Sequence, residues 1–432
     1  MKQSKYNFFY DFPEQEEKKL AYNALTNSLA LMDHEHYKQY NDFISDNIPI
    51  KDEKFIDDLK MGGYIIEDEM DELKLLELQL FQNRFNRSVL GLTIAVTADC
   101  NFRCTYCYEK NSIENTKMNQ DVQDNIIQLI KDQAQGLKVL SVTWYGGEPL
   151  LMIDVIRSLS ERIQKICEEN QITYFAYMVT NGYLLTPAIA LELKDKLNIQ
   201  GMQITLDGPE DVHNKRRPLV GGQGTFQKIL NNLKENIEVL PSVSIRINTD
   251  IDNQDRISEV FQVLKDNALA DKVNVYLGHV EALNDGYVAC KCLTPEGFSQ
   301  AYYDFMKENK LDIKKLYPKR FTNYCGADAM NSFVVGADGN LYKCWNDIGI
   351  QEKQIGKLPM VGIVDNFKLY SDYLLYDPTK DERCIECKLL PVCMGGCPNR
   401  RLLGVENCNH TKYVLEEYLQ ACAHSIIEER MR

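Results

Sequence analysis

No run of apolar residues in this 432-residue chain approaches the length a bilayer-spanning helix needs, and no internal repeat or low-complexity tract interrupts it. A basic excess is missing too: 49 Lys and Arg stand against 63 Asp and Glu, a net charge of −14. That balance argues against a nucleic-acid binder and against attachment to an anionic membrane. The opening Met1-Lys2-Gln3-Ser4-Lys5-Tyr6 leads into no signal-peptide core, so a cytoplasmic location is expected. Cysteine is absent from residues 1 to 88. What is present is an ordinary globular composition, 44% hydrophobic and 26% charged, in a chain long enough for two or three domains. Its 14 cysteines are the exception. In a reducing compartment they point to metal ligands or catalysts, not to a disulfide framework.

The pattern divides the chain in three. Residues 1–88 read as strands over 6–10 and 19–23, then two helices, the second carrying Phe55, Ile56 and Leu59. Met61-Gly62-Gly63 ends that helix before a strand at 64–66. This order predicts a small winged-helix-like module, joined onward by a charged helix over 71–87. From 89 to 289, strand-like runs at 92–97, 139–144, 173–180, 202–206, 243–249 and 273–280 alternate with helical periods such as Met152/Val155/Ile156/Leu159/Ile163. Repeated β-α units predict an α/β fold with a parallel sheet, and six of them suit a partial (β/α)6 TIM-like barrel better than a closed eight-fold one. Chemistry in such sheets sits at the strand C-terminal ends. From 290 to 432 a helix near 295–308 precedes a Cys-, Gly- and Pro-rich stretch of short elements with little expected core, where metal clusters would replace packing.

Directly after the first barrel strand comes Cys100-Asn-Phe-Arg-Cys104-Thr-Tyr-Cys107. Three thiolates on one tight loop can hold three irons of a cubane and leave the fourth open for a small molecule. The spacing fits zinc poorly, because no fourth Cys or His is near. The segment resembles the radical S-adenosylmethionine (AdoMet) superfamily, in which the open iron chelates the cofactor's amino and carboxylate groups. Tyr106 fills the aromatic position before the third cysteine. Tyr145-Gly146-Gly147-Glu148-Pro149 resembles the family's GGEP motif, with glycines that admit backbone to the ligand and Glu148 as acceptor for the ammonium group. Asn181 and Asn248, which as plain residues read equally well as ordinary polar strand ends, and Thr205 and Asp207 resemble positions lining the cofactor pocket. His213-Asn-Lys-Arg-Arg217 is similar to an HDxxR segment whose arginine meets the cofactor carboxylate. Asn214 departs from it, and Arg216 competes with Arg217 for that role. The resemblance implies reductive cleavage of AdoMet to methionine and a 5′-deoxyadenosyl radical, with the electron from an external donor such as flavodoxin or ferredoxin.

Cys325, Cys344, Cys384, Cys387, Cys393, Cys397 and Cys408 are too many for one zinc ribbon. Their pattern resembles the SPASM extension of peptide-modifying radical enzymes, which carries two auxiliary 4Fe-4S clusters and so brings the total to three. The resemblance implies that Cys384, Cys387, Cys393 and Cys408 hold the distal cluster, and Cys325, Cys344 and Cys397 the proximal one. The proximal set is one ligand short. Cys290 or Cys292 supplies it, or the iron is open to a substrate thiolate. Cys167 and Cys422 lie on helical patterns as buried apolar residues, and Asp33-His34-Glu35-His36 reads as a solvated helix start. The layout is similar to radical oxidoreductases that mature ribosomally made peptides (RiPPs), where an N-terminal recognition element grips a leader as an added strand. It implies hydrogen abstraction from a precursor peptide followed by a thioether cross-link. Alternatives are a carbon–carbon cross-link, a formylglycine-generating sulfatase-maturing enzyme, or a non-catalytic metal-bound interaction protein.

Overall fold

Burial alternates along strands such as Val139–Tyr145, Thr173–Thr180 and Ser242–Thr249, which sets one face of the sheet against helices and leaves the other partly open. The computed structural model describes residues 1–13, 15, 17–282, 287–360, 364–405 and 408–431. They form two compact units: Met1–Arg84 with Pro295–Cys325 and Tyr376–Arg432, and Phe85–Thr294 with Gly326–Leu375. The units cut across the three-part reading of the chain, because the C-terminal third is shared between them. Among the described residues no helix is long and apolar enough to cross a membrane.

In the first unit, β1 (Lys2–Gln3) pairs antiparallel with β5 (Ile65–Ile66). The strands β2 (Asn7–Asp11), β3 (Lys18–Asn23) and β4 (Ser28–Asp33) form an antiparallel sheet in that order. β4 is absent from the sequence reading for a physical reason. Ala30 and Met32 face a cluster with Tyr40, Phe55, Leu59 and Tyr64, whereas Leu29 and Leu31 face another with Leu20, Tyr22, Leu76 and Leu80. A strand packed against a core on both sides shows no alternation. The second cluster also takes Leu389, Leu390, Val392, Leu415 and Leu419. The C-terminal stretch therefore does have a core, and it shares that core with the N-terminal sheet. Asp33 caps the helix His34–Asp46 through the His36 N–H, so the acidic-histidine run is a helix start.

In the second unit, β6 (Val89–Ala95), β7 (Val139–Tyr145), β8 (Thr173–Thr180), β9 (Ile199–Thr205), β10 (Ser242–Thr249) and β11 (Val273–His279) run parallel in sequential order. Among the described residues the order has two ends, so the sheet they form is open. β12 (Ser332–Val335) adds parallel to β6, and β13 (Asn340–Tyr342) and β14 (Gly356–Lys357) follow antiparallel. These three short strands escaped the sequence reading, which expected nothing of the sheet beyond residue 289. Leu140, Val142 and Trp144 of β7 are buried, as are Val155, Ile156, Leu159 and Ile163 of the helix Ile153–Glu169. Truncating such a leucine to alanine costs about 2–5 kcal/mol. The intervening Ser141, Thr143 and Tyr145 lie on the other, partly open face. Cys167 and Cys422 are 3% and 0% exposed.

Candidate active site at the strand ends

The cysteine loop leaves β6 and is stitched to a distant segment of the same unit. Arg103 N–H donates to Pro218 O at 2.9 Å, Thr105 N–H to Arg216 O at 2.9 Å, and Val220 N–H to Asn101 O at 2.9 Å. Phe102, 1% exposed, packs edge-on against Tyr183 at 5.8 Å. These ties draw Cys100, Cys104 and Cys107 together. Burial raises the pKa of all three thiols, that of Cys107 to about 12; Cys100 is raised further by Cys104 and Cys107, and Cys107 by Cys104. Thiols buried this way need a cation to become thiolates, and iron supplies one. Among the described residues no three His, Cys, Asp or Glu side chains close on the position of a single metal ion. A cubane instead spreads its cysteines over separate irons.

Gly146 and Gly147 bring the end of β7 onto this loop. A Cβ on Gly146 would stand 2.4 Å from Thr97 O, and one on Gly147 2.3 Å from Asp99 O, so both positions exclude any other residue. The space a side chain would take at either position is filled by loop backbone. Gly147 N–H donates to Thr97 O and Glu148 N–H to Asp99 O, both at 3.0 Å. Glu148 is fully buried. Its Oε1 accepts from Thr180 Oγ1 at 2.6 Å and from Leu150 N–H at 3.1 Å, and its Oε2 from Asn181 N–H at 2.7 Å. A carboxylate has about four acceptor sites, so Oε2 keeps one for a further donor. Burial raises the Glu148 pKa against the pull of these donors.

The ends of β9 and β10 build a second group. The Tyr106 hydroxyl donates to Asp207 Oδ2 and accepts from Arg217 Nη1 at 2.8 Å and Asn248 Nδ2 at 3.0 Å, which saturates it. Asn248 N–H donates to Asp207 Oδ1 at 3.0 Å. Thr205 is buried at the end of β9. Arg216 donates through Nη1 to both oxygens of Asp250 at 2.7 and 2.8 Å and through Nη2 to Asn248 O at 3.1 Å. Arg217 Nε, like Arg216 Nε, is buried without a hydrogen-bond partner, but Arg217 is set over the Phe102 ring at 5.7 Å whereas Arg216 is held between the carboxylates of Asp250 and Asp207. A buried guanidinium with an idle donor fits a carboxylate ligand. Asn214 caps the helix Phe226–Asn236 by accepting from Thr225 N–H at 2.8 Å and Phe226 N–H at 3.0 Å, work an Asp would do equally well.

Two participants were not read from the sequence. Asp250, 0% exposed, anchors Arg216 and accepts from the Tyr287 hydroxyl at 2.6 Å; its only signal was a charge at the end of an apolar strand. Glu109 is 9% exposed, its Oε1 has no partner, and burial pushes its pKa up to about 7.

The remaining cysteines fall in separate places. Cys384, Cys387, Cys393 and Cys408 share the first unit. Burial pushes Cys393 up to about 12, with Cys408, Cys384 and Cys387 adding to it, so these four lie within electrostatic reach of one another. Cys325 and Cys397 also belong to the first unit, and Cys344, after β13, to the second. Cys290 and Cys292 sit on the turn Ala289–Lys291, tied to the loop after β10 by Ile251 N–H on Lys291 O at 3.1 Å.

Comparison with known proteins bears on this arrangement. Residues 94–285 match the profile of the Radical SAM superfamily. The chain is 22% identical over 356 residues to the cysteine-type anaerobic sulfatase-maturating enzyme of Clostridium perfringens, covering 74% of this chain and 92% of that enzyme. It is 30% identical over 195 residues to a GTP 3′,8-cyclase of the same species, covering 44% and 55%. Its fold is similar to native anSMEcpe with bound AdoMet (TM-score 0.60, 18% identity, 78% of this chain and 99% of that one). It is also similar to Streptococcus suis SuiB bound to precursor peptide SuiA (TM-score 0.54, 15% identity, 94% and 97%).

Proposed function

We propose, from the match of residues 94–285 to the Radical SAM superfamily, that the chain modifies a ribosomally made precursor peptide, forming a sulfur-to-carbon thioether. Cys100, Cys104 and Cys107 would hold the radical 4Fe-4S cluster, Glu148 Oε2 the cofactor ammonium and Arg217 its carboxylate. Tyr106, Asp207 and Asn248 keep Arg217 in place, while Gly146, Gly147, Asn181 and Thr205 shape the pocket floor. Together the cluster and AdoMet supply the oxidant for an unactivated C–H bond. Cys384, Cys387, Cys393 and Cys408 would hold a distal auxiliary cluster, and Cys325, Cys344 and Cys397 a proximal one. An external donor such as flavodoxin or ferredoxin would supply the electron. Thioether formation joins sulfur to carbon with loss of two hydrogens: one goes to the abstracting radical, and the other leaves as a thiol proton to solvent and an electron that an auxiliary cluster would accept.

One observation carries the peptide reading: an N-terminal sheet with a free edge in the same chain as the radical core. On β2 the outward carbonyls of Asn7 and Asp11 are already taken by Lys388 Nζ and Gln420 Nε2, each at 3.0 Å. β4, the other edge, pairs only with β3 among the described residues. Strand addition there gives affinity through backbone bonds. Residues 1–88 would thus act as a winged-helix-like recognition element. The SuiB likeness, with its bound precursor peptide, extends over 94% of this chain, against 78% for anSMEcpe. A second reading, oxidation of a Cys or Ser in a sulfatase to formylglycine, is favoured by the match along 92% of the Clostridium perfringens enzyme.

Replacing Cys100, Cys104 and Cys107 together by Ala should abolish 5′-deoxyadenosine formation while about two thirds of the iron remains. Nucleoside formation that survives would refute the assignment. With the native enzyme, mass spectrometry of a Cys-containing precursor should show two hydrogens lost and sulfur kept. Loss of sulfur from a sulfatase-derived Cys peptide would select the second reading.

A further inference from the structure

Tyr6, just before β2, is 0% exposed, yet its hydroxyl has no hydrogen-bond partner. Buried hydroxyls in folded proteins are rarely left unpaired. Glu72, the nearby acid, already receives Ser4 Oγ at 2.5 Å and Lys5 N–H at 2.8 Å. The residues flanking Tyr6 show what it faces. Lys5 Nζ reaches Glu386 Oε1 at 3.3 Å, and Lys388 Nζ donates to Asn7 O at 3.0 Å. Positions 5 and 7 are thus tied to positions 386 and 388, which brackets Tyr6 against Cys387. Cys384 and Cys387 pack on the apolar cluster that contains Tyr6. Negative charge on Cys387 is among the causes that raise the Tyr6 pKa, after burial, Glu72 and Asp71.

The same cysteine group has other polar neighbours. The Tyr376 hydroxyl, which donates to Asp381 Oδ2 at 2.9 Å, lies 3.7 Å from Cys384 Sγ, and Lys412 Nζ donates to Cys408 Sγ at 3.8 Å. We propose that the Tyr6 hydroxyl donates a hydrogen bond to sulfur at the Cys387 corner of the distal cluster, so that the N-terminal module completes the cluster's surroundings and tunes its potential. This rests on the reading that Cys384, Cys387, Cys393 and Cys408 hold a cluster. Hydrogen bonds to cluster sulfur favour the reduced, more negative state and raise the potential. Tyr6 lies just before β2, the edge of its sheet opposite β4.

The test compares reconstituted full-length wild type, Tyr6→Phe and Tyr22→Phe. Tyr22 is an equally buried ring of the same core whose hydroxyl is spent on Asn27 Oδ1 at 2.9 Å. Iron and sulfide are quantified first, and the clusters are then titrated under electron paramagnetic resonance. In Tyr6→Phe one cluster signal should move to lower potential with iron content unchanged, while Tyr22→Phe follows wild type. Loss of one cluster's iron in Tyr6→Phe alone also assigns the hydroxyl to that site. Unchanged potentials at full iron content, or equal changes in both variants, overturn the inference and leave the cluster reading standing. A wild type that takes up iron for one cluster only overturns both, before any variant is compared.

Discussion

Adjacent arginines at one helix end have opposite duties, and the pair sets a test at the scale of single residues. Arg216 sits between Asp250 and Asp207, with its guanidinium 4.9 Å from the Tyr106 ring centre. Removing its charge leaves two fully buried carboxylates without their cation, and breaking a buried pair this way costs about 3–5 kcal/mol. Arg217 instead meets the Tyr106 hydroxyl through Nη1 at 2.8 Å, and its Nε, like that of Arg216, is buried and idle. Losing a charge-assisted bond to the cofactor carboxylate there costs about 1.5–3 kcal/mol, roughly ten- to a hundredfold in affinity. Arg217→Met should therefore weaken AdoMet binding in calorimetry while the urea midpoint stays near wild type. Arg216→Met should lower the midpoint sharply. The opposite pattern would exchange their roles. The sequence holds both guanidinium groups side by side and no means of choosing. The choice is made by Asp250, 34 positions away from Arg216 along the chain.

At the scale of elements, strands and helices with a single buried face were legible and those buried on two faces were not. β8 and the helix Pro295–Glu308 appear where the patterns 173–180 and 295–308 place them. β4 was hidden because Leu29, Ala30, Leu31 and Met32 are all apolar, and each face of the sheet has its own core. That double burial also changes how the recognition element has to be tested. Deleting residues 1–84 would expose Leu389, Leu390, Leu415 and Leu419 along with the distal cysteine segment, so a truncated chain should lose cluster iron as well as peptide binding. A single change on the open edge is cleaner. Phe12 N–H pairs with Lys18 O and Ala24 N–H with Tyr6 O, so by antiparallel alternation Leu29 and Leu31 turn their amides away from β3. Leu31→Pro removes one outward donor and no ladder bond. One net hydrogen bond is about 0.5–1.5 kcal/mol, so precursor affinity should fall by roughly two- to tenfold while iron content holds. Affinity unchanged in this variant would move the docking site off β4.

At the scale of the whole molecule, legibility followed sequence separation. The loop Cys100–Cys107 and the run Cys384–Cys387–Cys393 group by spacing because neighbouring positions would supply most of the ligands of the clusters proposed there. Cys325, Cys344 and Cys397 are far apart, and two compact units divide them, so no spacing rule can say whether a fourth ligand exists. Cys290 is exposed and Cys292 partly buried, on a turn held by Lys291 Nζ on Asp252 Oδ2 at 2.7 Å as well as by the Ile251 amide. That anchoring does not depend on either thiol, so replacing both by Ala should leave the turn in place. If the proximal iron is open to substrate, the double variant keeps full iron content and cross-links at close to the native rate. If either thiol is the missing ligand, one cluster's iron or its spectrum changes. The direct test adds to native enzyme a precursor with its acceptor cysteine, and then the same peptide with serine. Thiolate binding at iron lowers the thiol pKa and presents sulfur to a carbon radical. The cluster spectrum should therefore shift with the cysteine peptide alone. Identical spectra would make the proximal cluster an electron conduit and turn the product toward a carbon–carbon bond.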